Sequence, residues 1–131
     1  MSQENIEVFR RQTDAWNRDD LDAYLTTVDP EAELYPGPTR VAGGVFRGHD
    51  GVKGWWVDVH DTFEVLTVAF DEVRDLGDTV LGLGRLRGRS KSGVPIDTEY
   101  GAVTRFRDGL TVSARSFTSH EAALEAAGLS E

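Results

Sequence analysis

The chain has 131 residues, of which 39% are hydrophobic and 28% charged, a balance typical of one folded domain spanning residues 1–131. Its 23 acidic and 14 basic side chains give a net charge of −9, which argues against binding to a nucleic-acid backbone. The absence of cysteine excludes disulfides, thiolate metal sites and thiol catalysis. Because the N-terminal residues are polar and no apolar run is long enough to cross a membrane, we expect a cytoplasmic protein with no membrane partner.

The first half of the chain carries apolar residues at the three- and four-residue spacing that predicts helices. We predict helices over 4–16 and 21–28, the second stopped by Asp29-Pro30, and a third helix capped by Asp50 and ending near Phe63. Short strands are predicted at 32–35 and 45–46, on either side of a glycine-rich loop.

After Phe63 the period changes to two, which predicts strands over 65–73, 79–89, 94–106 and 110–117. Turn residues at each junction indicate antiparallel hairpins. A capping box formed by Thr118 and Glu121 predicts a last helix over 119–127, which Gly128 ends. The fold class is therefore α+β. We expect a cone-shaped, curved antiparallel sheet with helices packed on its concave face, enclosing a pocket.

Alternation along the last two strands predicts which side chains form the pocket wall. This wall comprises Thr98, Tyr100, Ala102, Thr104, Phe106, Val112, Ala114 and Ser116. A three-residue loop at Asp108-Gly109 would pair Ala102 with Ala114 and Tyr100 with Ser116.

Charged side chains occupy the other face of the sheet. A five-residue loop after Arg89 would pair Arg87 with Asp97 and Arg85 with Glu99 as exposed ion pairs. The alternative interpretation is an acid and arginine grouping of the kind found in epoxide hydrolases. We favour the ion pairs.

Several segments, in this order and spacing, resemble the SnoaL-like polyketide cyclases of the nuclear-transport-factor-2-like superfamily, which also contains ketosteroid isomerase. They are residues 15–21, 29–33, 46–52, 83–89, 104–109 and 121–129. The resemblance implies a conical pocket, commonly in a homodimer, that serves cofactor-free isomerases, cyclases, hydrolases and simple ligand binders. It places Gln12 near the first-helix tyrosine of ketosteroid isomerase, and Ser119 where the cyclases often carry an acid, so the family's known catalytic groups have no match here.

The catalytic candidates are His60, Tyr35 and Tyr100. His60 is the best general base because its unperturbed pKa of about 6.5 suits proton transfer. Tyr35 and Tyr100 could donate hydrogen bonds to a ligand carbonyl or enolate. His49 and His120 are interpreted as cap and surface residues.

Substrate contacts are expected from Gln12, Trp16, Trp56, Ala102 and Ser116. Trp56 is preferred to Trp55 because it lies four residues before His60 on the same helix. The dispersed histidines predict no metal site, and we expect no cofactor.

Two functions stay open. The first is a pocket protein for a small hydrophobic organic molecule of polyketide, terpenoid or steroid-like type, with a cofactor-independent acid/base isomerase, cyclase or hydrolase as its enzymatic form. The alternative is a non-catalytic ligand-binding or dimeric assembly domain. The homodimer is expected from the resemblance and from Val103, Ser113 and Phe117 on the outer sheet face.

Overall fold

Four helices and six strands form the fold, and the computed structural model describes residues 2–37 and 45–129. In chain order the elements are α1 (Ser2–Asn17), α2 (Leu21–Leu25), β1 (Val28–Tyr35), β2 (Phe46–Arg47), α3 (Gly48–Thr62), β3 (Phe63–Asp75), β4 (Thr79–Ser90), β5 (Pro95–Arg107), β6 (Leu110–Phe117) and α4 (His120–Ala126). None of these helices is long and apolar enough to span a membrane.

The six strands form one open sheet in the order β2-β1-β6-β5-β4-β3. The predicted antiparallel pairing of the four long strands is confirmed. β1 pairs with β6 in parallel, so the sheet is mixed rather than wholly antiparallel. The first strand of the chain thereby pairs with the last, as the second and third strands of the sheet.

Helices α1, α2 and α3 cover one face of the sheet, which we call the inner face. Here Trp55 and Trp56 of α3 pack with Leu66 and Leu86, and Phe9 of α1 packs in a neighbouring cluster. Helix α4 lies on the opposite, outer face, where Ala123 and Leu124 pack on Leu81 and Leu83. Val103 and Phe117, expected on a dimer face, are half-buried beside α4.

Helix α2 is shorter than predicted. The hydroxyls of Thr26 and Thr27 donate to the carbonyls of Ala23 and Tyr24 at 2.6 Å, which closes the last turn. Val28 then begins β1, and the prediction that the helix continues to Val28 is wrong. Pro30 is accommodated inside the strand because the β1–β6 register shifts between Val28 and Glu33.

The helix N-termini also differ from prediction. Arg47, not Asp50, is the N-cap of α3, and Asp50 lies in the first turn. Ser119, not Thr118, caps α4, because its backbone is extended and its side chain accepts from the Ala122 amide at 3.1 Å.

The β5–β6 register is shifted from the predicted one. Asp108 and Gly109 both have positive φ and form a two-residue turn, so Arg107 pairs with Leu110. Val112 is the extra residue of a bulge, and Ala102 consequently pairs with Ser116 and Thr104 with Ala114. The predicted Ala102–Ala114 and Tyr100–Ser116 pairs are therefore wrong.

The predicted β4–β5 register is confirmed. Arg87 pairs with Asp97 and Arg85 with Glu99. The Nε atoms of Arg85 and Arg87 lie 2.8 and 3.4 Å from Asp97 Oδ1, and the Arg85 contact is the main reason that the Asp97 pKa is lowered. This exposed ion-pair network leaves the outer face of β4 and β5 charged.

Candidate functional site

A cavity of about 70 Å³ lies between the inner face and helices α1 to α3. It is lined by Phe9, Gln12, Thr13, Trp16, Tyr24, Leu34, Trp55, Leu66, Val68, Phe70, Leu86, Tyr100, Ala102, Thr104, Ala114 and Ser116. A water needs roughly 10 to 15 Å³ of such space, so the cavity holds only a few atoms as it stands. A larger ligand requires its aromatic walls to move.

Gln12 forms the polar end of the cavity nearest the β5–β6 turn. Its Nε2 donates to the hydroxyls of Thr27 at 2.8 Å and Thr111 at 2.9 Å. The Thr27 hydroxyl proton is already committed to the Tyr24 carbonyl, so Thr27 must accept from Gln12. This fixes the orientation of the amide and leaves Oε1 on the other side.

The Oε1 atom of Gln12 makes no hydrogen bond to any residue of the described chain. Within residues 2–37 and 45–129 no buried side-chain oxygen lacks a partner, so Oε1 must border open space. Since Gln12 is only 8% exposed and lines the cavity, that space is the cavity. Gln12 thus presents a hydrogen-bond acceptor to the cavity.

Two tyrosines and a serine form the other polar end. The hydroxyls of Tyr100 and Ser116 are 2.7 Å apart, and either can be the donor. Tyr24 is 8% exposed, and its hydroxyl has no partner among the residues that the structure describes. By the same reasoning as for Gln12, this hydroxyl borders the cavity as an unused donor.

Burial keeps both phenols neutral. Desolvation raises the pKa of Tyr24 far above its usual value, and the charge that an ionised Tyr100 would carry raises it further. Desolvation also raises the pKa of Tyr100, partly offset by the Ser116 hydrogen bond. Both rings line the same cavity, and both stay protonated and act as hydrogen-bond donors rather than as phenolates.

The cavity wall carries no Asp, Glu, His, Lys or Arg among the residues described. The same part of the chain contains no group of three His, Asp or Glu side chains arranged to hold a metal. The arrangement therefore suits an uncharged ligand held by hydrogen bonds.

His60, expected as the general base, lies outside the cavity wall. Its Nδ1 donates to the Trp56 carbonyl at 2.8 Å, and its Nε2 is 2.9 Å from Asp19 Oδ1. Asp19 reaches this position from the α1–α2 turn with a φ of 58°. Both imidazole nitrogens are therefore engaged away from the cavity.

Tyr35, the other expected donor outside β5, is 39% exposed. Its hydroxyl donates to Glu33 Oε1 at 2.8 Å, and Arg47 Nε donates to Glu33 Oε2 at 3.0 Å. These two bonds lower the Glu33 pKa, and the Glu33 bond is the main cause of a raised Tyr35 pKa. This group lies on the outside of β1, whereas Leu34 points to the cavity.

Two of the three tryptophans, Trp16 and Trp55, line the cavity, and Trp56 does not. Trp16 and Trp55 line the cavity with their rings stacked at 5.0 Å, and Trp16 Nε1 donates to the Leu66 carbonyl at 2.9 Å. Trp56, preferred from the sequence, instead stacks on His60 at 5.3 Å and donates to Asp19 at 3.3 Å. Of the residues expected to contact substrate, Gln12, Trp16, Ala102 and Ser116 line the cavity together with Tyr100, and Trp56 does not.

Tyr24 is a site residue that sequence reasoning did not identify. Its spacing with Leu21, Leu25 and Val28 marks one apolar helical face, the pattern of a core position. A polar hydroxyl on an otherwise apolar face is the signal that could have distinguished it.

Known structures share this architecture. A nuclear-transport-factor-2-like protein from Burkholderia pseudomallei aligns with a TM-score of 0.82 and 22% identity over 93% of this chain and 95% of its own. TerC, co-crystallised with polyporic acid, aligns with a TM-score of 0.81 and 22% identity over 93% of this chain and 96% of its own. A Catenulispora acidiphila protein with a ketosteroid isomerase-like fold, in complex with trimethylamine, aligns with a TM-score of 0.77 and 19% identity over 94% of this chain and 93% of its own. These TM-scores show a common fold.

Sequence comparison assigns the family. A search of curated proteins gives no match. The sequence pattern of the SnoaL-like domain matches residues 9–114, which include both polar ends of the cavity except Ser116. The match covers most of the chain, and the protein belongs to the SnoaL-like domain family.

Proposed function

We propose that the protein binds a small, largely apolar and uncharged organic molecule in this cavity. One observation carries the proposal: an aromatic and aliphatic wall surrounds two unpartnered polar groups, on Tyr24 and Gln12, with no charged side chain among them. Both groups border open space, so a ligand atom that bonds to them takes the place of water there. Small organic molecules bound by structural neighbours also support this function.

Filling the cavity tests this proposal. Ala102→Leu adds a larger side chain to the wall, whereas Ala69→Leu makes the same change at an exposed position of β3 and is the matched control. With acetophenone as the probe and tryptophan fluorescence as the readout, we expect Ala102→Leu to weaken binding at least tenfold and the control to bind normally.

A second, milder variant guards against misfolding. Ala114→Val also narrows the cavity, and we expect it to weaken binding by a smaller factor. Equal affinity in all four proteins would place the ligand elsewhere and contradict the proposal, as would the absence of binding to the unmodified protein.

A cofactor-independent acid/base enzyme is the second candidate. It is favoured by two phenols in the cavity wall, Tyr24 and Tyr100, since a phenol hydroxyl can polarise a ligand carbonyl and stabilise the charge that develops on its oxygen. His60 could serve as the base only after leaving Asp19 and turning toward the wall at Trp16. If it does, His60→Ala abolishes turnover with little change in melting temperature, and retained turnover would end that assignment.

The homodimer stays a proposal. A groove of about 310 Å³ on the outer face, beside α4, is lined partly by Val103, Ser113 and Arg115 and is the surface on which we expect a second copy. Light scattering that gives the mass of one chain would contradict it.

A further inference from the structure

A second concave site lies on the outer face of the sheet, across the sheet from the cavity. This groove of about 310 Å³ is bounded by β5, β6, the start of β4 and the end of α4. It is lined by Leu76, Thr79, Val103, Arg105, Ser113, Arg115, Ala126 and Ala127. Two arginines therefore face one groove whose other walls are apolar or carry hydroxyls.

The strand register brings these two arginines to one hydroxyl. Arg105 pairs directly with Ser113, and Arg115 lies two residues after Ser113 on the same face of β6. The arginines are thus diagonal neighbours on adjacent strands, about 7 to 8 Å apart, a separation that long side chains can span. One small anion can contact both guanidinium groups and the hydroxyl.

Neither arginine has a carboxylate partner in the part of the chain that the structure describes. Arg115 lies over the Phe117 ring at 5.3 Å, and Arg105 makes neither a hydrogen bond nor an ion pair there. The Ser113 hydroxyl also has no partner among these residues. Three further arginines of this face are held by carboxylates, namely Arg85 and Arg87 by Asp97 and Arg89 by Glu64.

Two acidic side chains flank the groove, and both are engaged. Glu33, beside the groove on β1, accepts hydrogen bonds from Tyr35 and Arg47. Asp78 accepts from the Thr79 hydroxyl at 3.1 Å. The net charge of −9 belongs to the whole molecule, and physiological salt screens exposed charges beyond about 8 Å. The local charge of the groove therefore favours an anion.

We propose that this groove binds a small organic carboxylate, with the charged group between the two arginines and Ser113 and the apolar body along Leu76 and Val103. The planar guanidinium matches a carboxylate in geometry and donates charge-assisted hydrogen bonds to it. The site is separate from the cavity, whose wall carries no charged side chain among the residues described. Because a second copy is expected on the same face, the experiment follows binding and molecular mass together.

Four probes separate the charge from the apolar contact in the unmodified protein. Octanoate carries both, acetate only the charge, 1-octanol only the apolar chain and octylamine the opposite charge. We expect octanoate to bind this groove about tenfold more tightly than each of the others, and its affinity to fall as salt is added. Isothermal titration gives the affinities, and shifts of the Val103 and Ser113 amide signals locate the bound probe.

Two variants assign the contacts. Arg105→Gln and Arg115→Gln each remove one cation from an exposed side chain and should weaken octanoate binding about threefold to tenfold. Arg11→Gln removes the same charge from an exposed position of α1 and is the matched control, which should bind normally. Ala102→Leu fills the cavity and should also leave octanoate binding unchanged, so failure of this inference is distinguishable from failure of cavity binding.

The proposal is overturned if octanoate and 1-octanol bind equally, or if both arginine variants bind octanoate as the control does. It is also overturned if the unmodified protein is a dimer that binds no octanoate and Arg105→Gln makes it monomeric by light scattering, since the arginines would then hold the second copy. Octanoate binding that the arginine variants weaken supports it, whether the mass is that of one chain or of two.

Discussion

Burial keeps the hydroxyl of Tyr24 protonated and therefore able to donate a hydrogen bond. It is held in an apolar space beside Tyr100, where ionisation is strongly opposed. A phenol kept neutral in this way donates a hydrogen bond at any physiological pH.

Alkaline pH provides a measurement of this effect. The unfolded tyrosine loses its proton near pH 10, while the folded one retains it, so the free energy of unfolding has its full value below that pH and falls above it. For each such tyrosine the decrease is about 1.4 kcal/mol per pH unit. In Tyr24→Phe the decrease between pH 10 and 11.5, measured by urea unfolding, should be smaller by about 2 kcal/mol. Parallel curves for the two proteins would contradict the burial of this hydroxyl.

Which polar side chains face the cavity was only partly accessible from the sequence. Alternation along β5 and β6 identified residues that line the cavity, such as Tyr100, Ala102 and Ser116. Thr98, Phe106 and Val112, predicted on the same wall, do not line it. His60 was placed on the correct helix, but its orientation depends on Asp19, a residue 41 positions earlier in a turn whose geometry no periodic pattern describes. Tyr24 was missed because helical spacing does not distinguish a packed ring from one that borders open space.

Among the elements, strands β3 and β4 approach each other closely at two glycines of β4. A Cβ atom at Gly84 would overlap the carbonyl oxygen of Ala69, and one at Gly82 would lie 2.6 Å from the Phe9 ring. Glycine at these positions is therefore a packing requirement of the β3–β4 pair, which forms one wall of the cavity.

Gly84→Ala should destabilise the protein by about 3 kcal/mol or more, because backbone rather than a flexible side chain must move. Gly54→Ala is the matched control, since a Cβ atom there meets nothing within 4 Å and α3 gains helix propensity. The control should gain about 0.5 to 1 kcal/mol. Thermal unfolding of both variants gives the comparison, and a neutral Gly84→Ala would contradict the close approach.

The edge of the sheet at β3 is covered by a side chain. Asn17, at the end of α1, donates from Nδ2 to the Val68 carbonyl at 2.8 Å and accepts from the Val68 amide at 2.9 Å. It thus pairs with the free edge of the strand as another strand would.

Asn17→Ala should lower the free energy of unfolding by about 1 to 2 kcal/mol because two hydrogen bonds are lost. Asn17→Asp should retain protection of the Val68 amide but lose the bond to its carbonyl. Hydrogen exchange at Val68 distinguishes the variants, with Arg11→Ala, exposed on the same helix, as the control. Unchanged exchange in Asn17→Ala would show that the edge is protected by other groups.

Element positions were largely predictable, and their ends were not. The period of two identified all four long strands, because each buries one face over many residues. Val28 was assigned to the wrong element because an isolated valine suits a helix end or a strand start equally well. The β5–β6 register depended on a single bulge at Val112, which alternation does not reveal.

At the scale of the whole molecule, Trp16 connects three elements of the fold. Its ring lies 5.0 Å from Trp55 and 4.7 Å from Trp56, and its indole donates to Leu66, so it connects α1, α3 and β3. Trp16→Phe should cost about 2 kcal/mol through lost volume and the lost hydrogen bond. Val57→Ala, at an exposed position of α3, should change stability by less than about 0.5 kcal/mol.

Urea unfolding followed by circular dichroism measures both tryptophan and control variants. If Trp16→Phe matches Val57→Ala, the three-way contact contributes little to global stability. A loss confined to the near-ultraviolet signal would indicate that the ring orders its neighbours without stabilising the fold.

The parallel pairing of β1 with β6 has a consequence for the order of folding. Leu34 pairs with Ala114, 80 positions later (114 minus 34), whereas β3, β4, β5 and β6 are joined by short turns. Closing the long loop is entropically the more demanding step, so we expect the hairpins to form first and β1 to dock late. During synthesis the N-terminal third therefore leaves the ribosome without its strand partner, and the cavity, which needs Leu34 as well as Ala114, is completed only once the C-terminal strand has emerged.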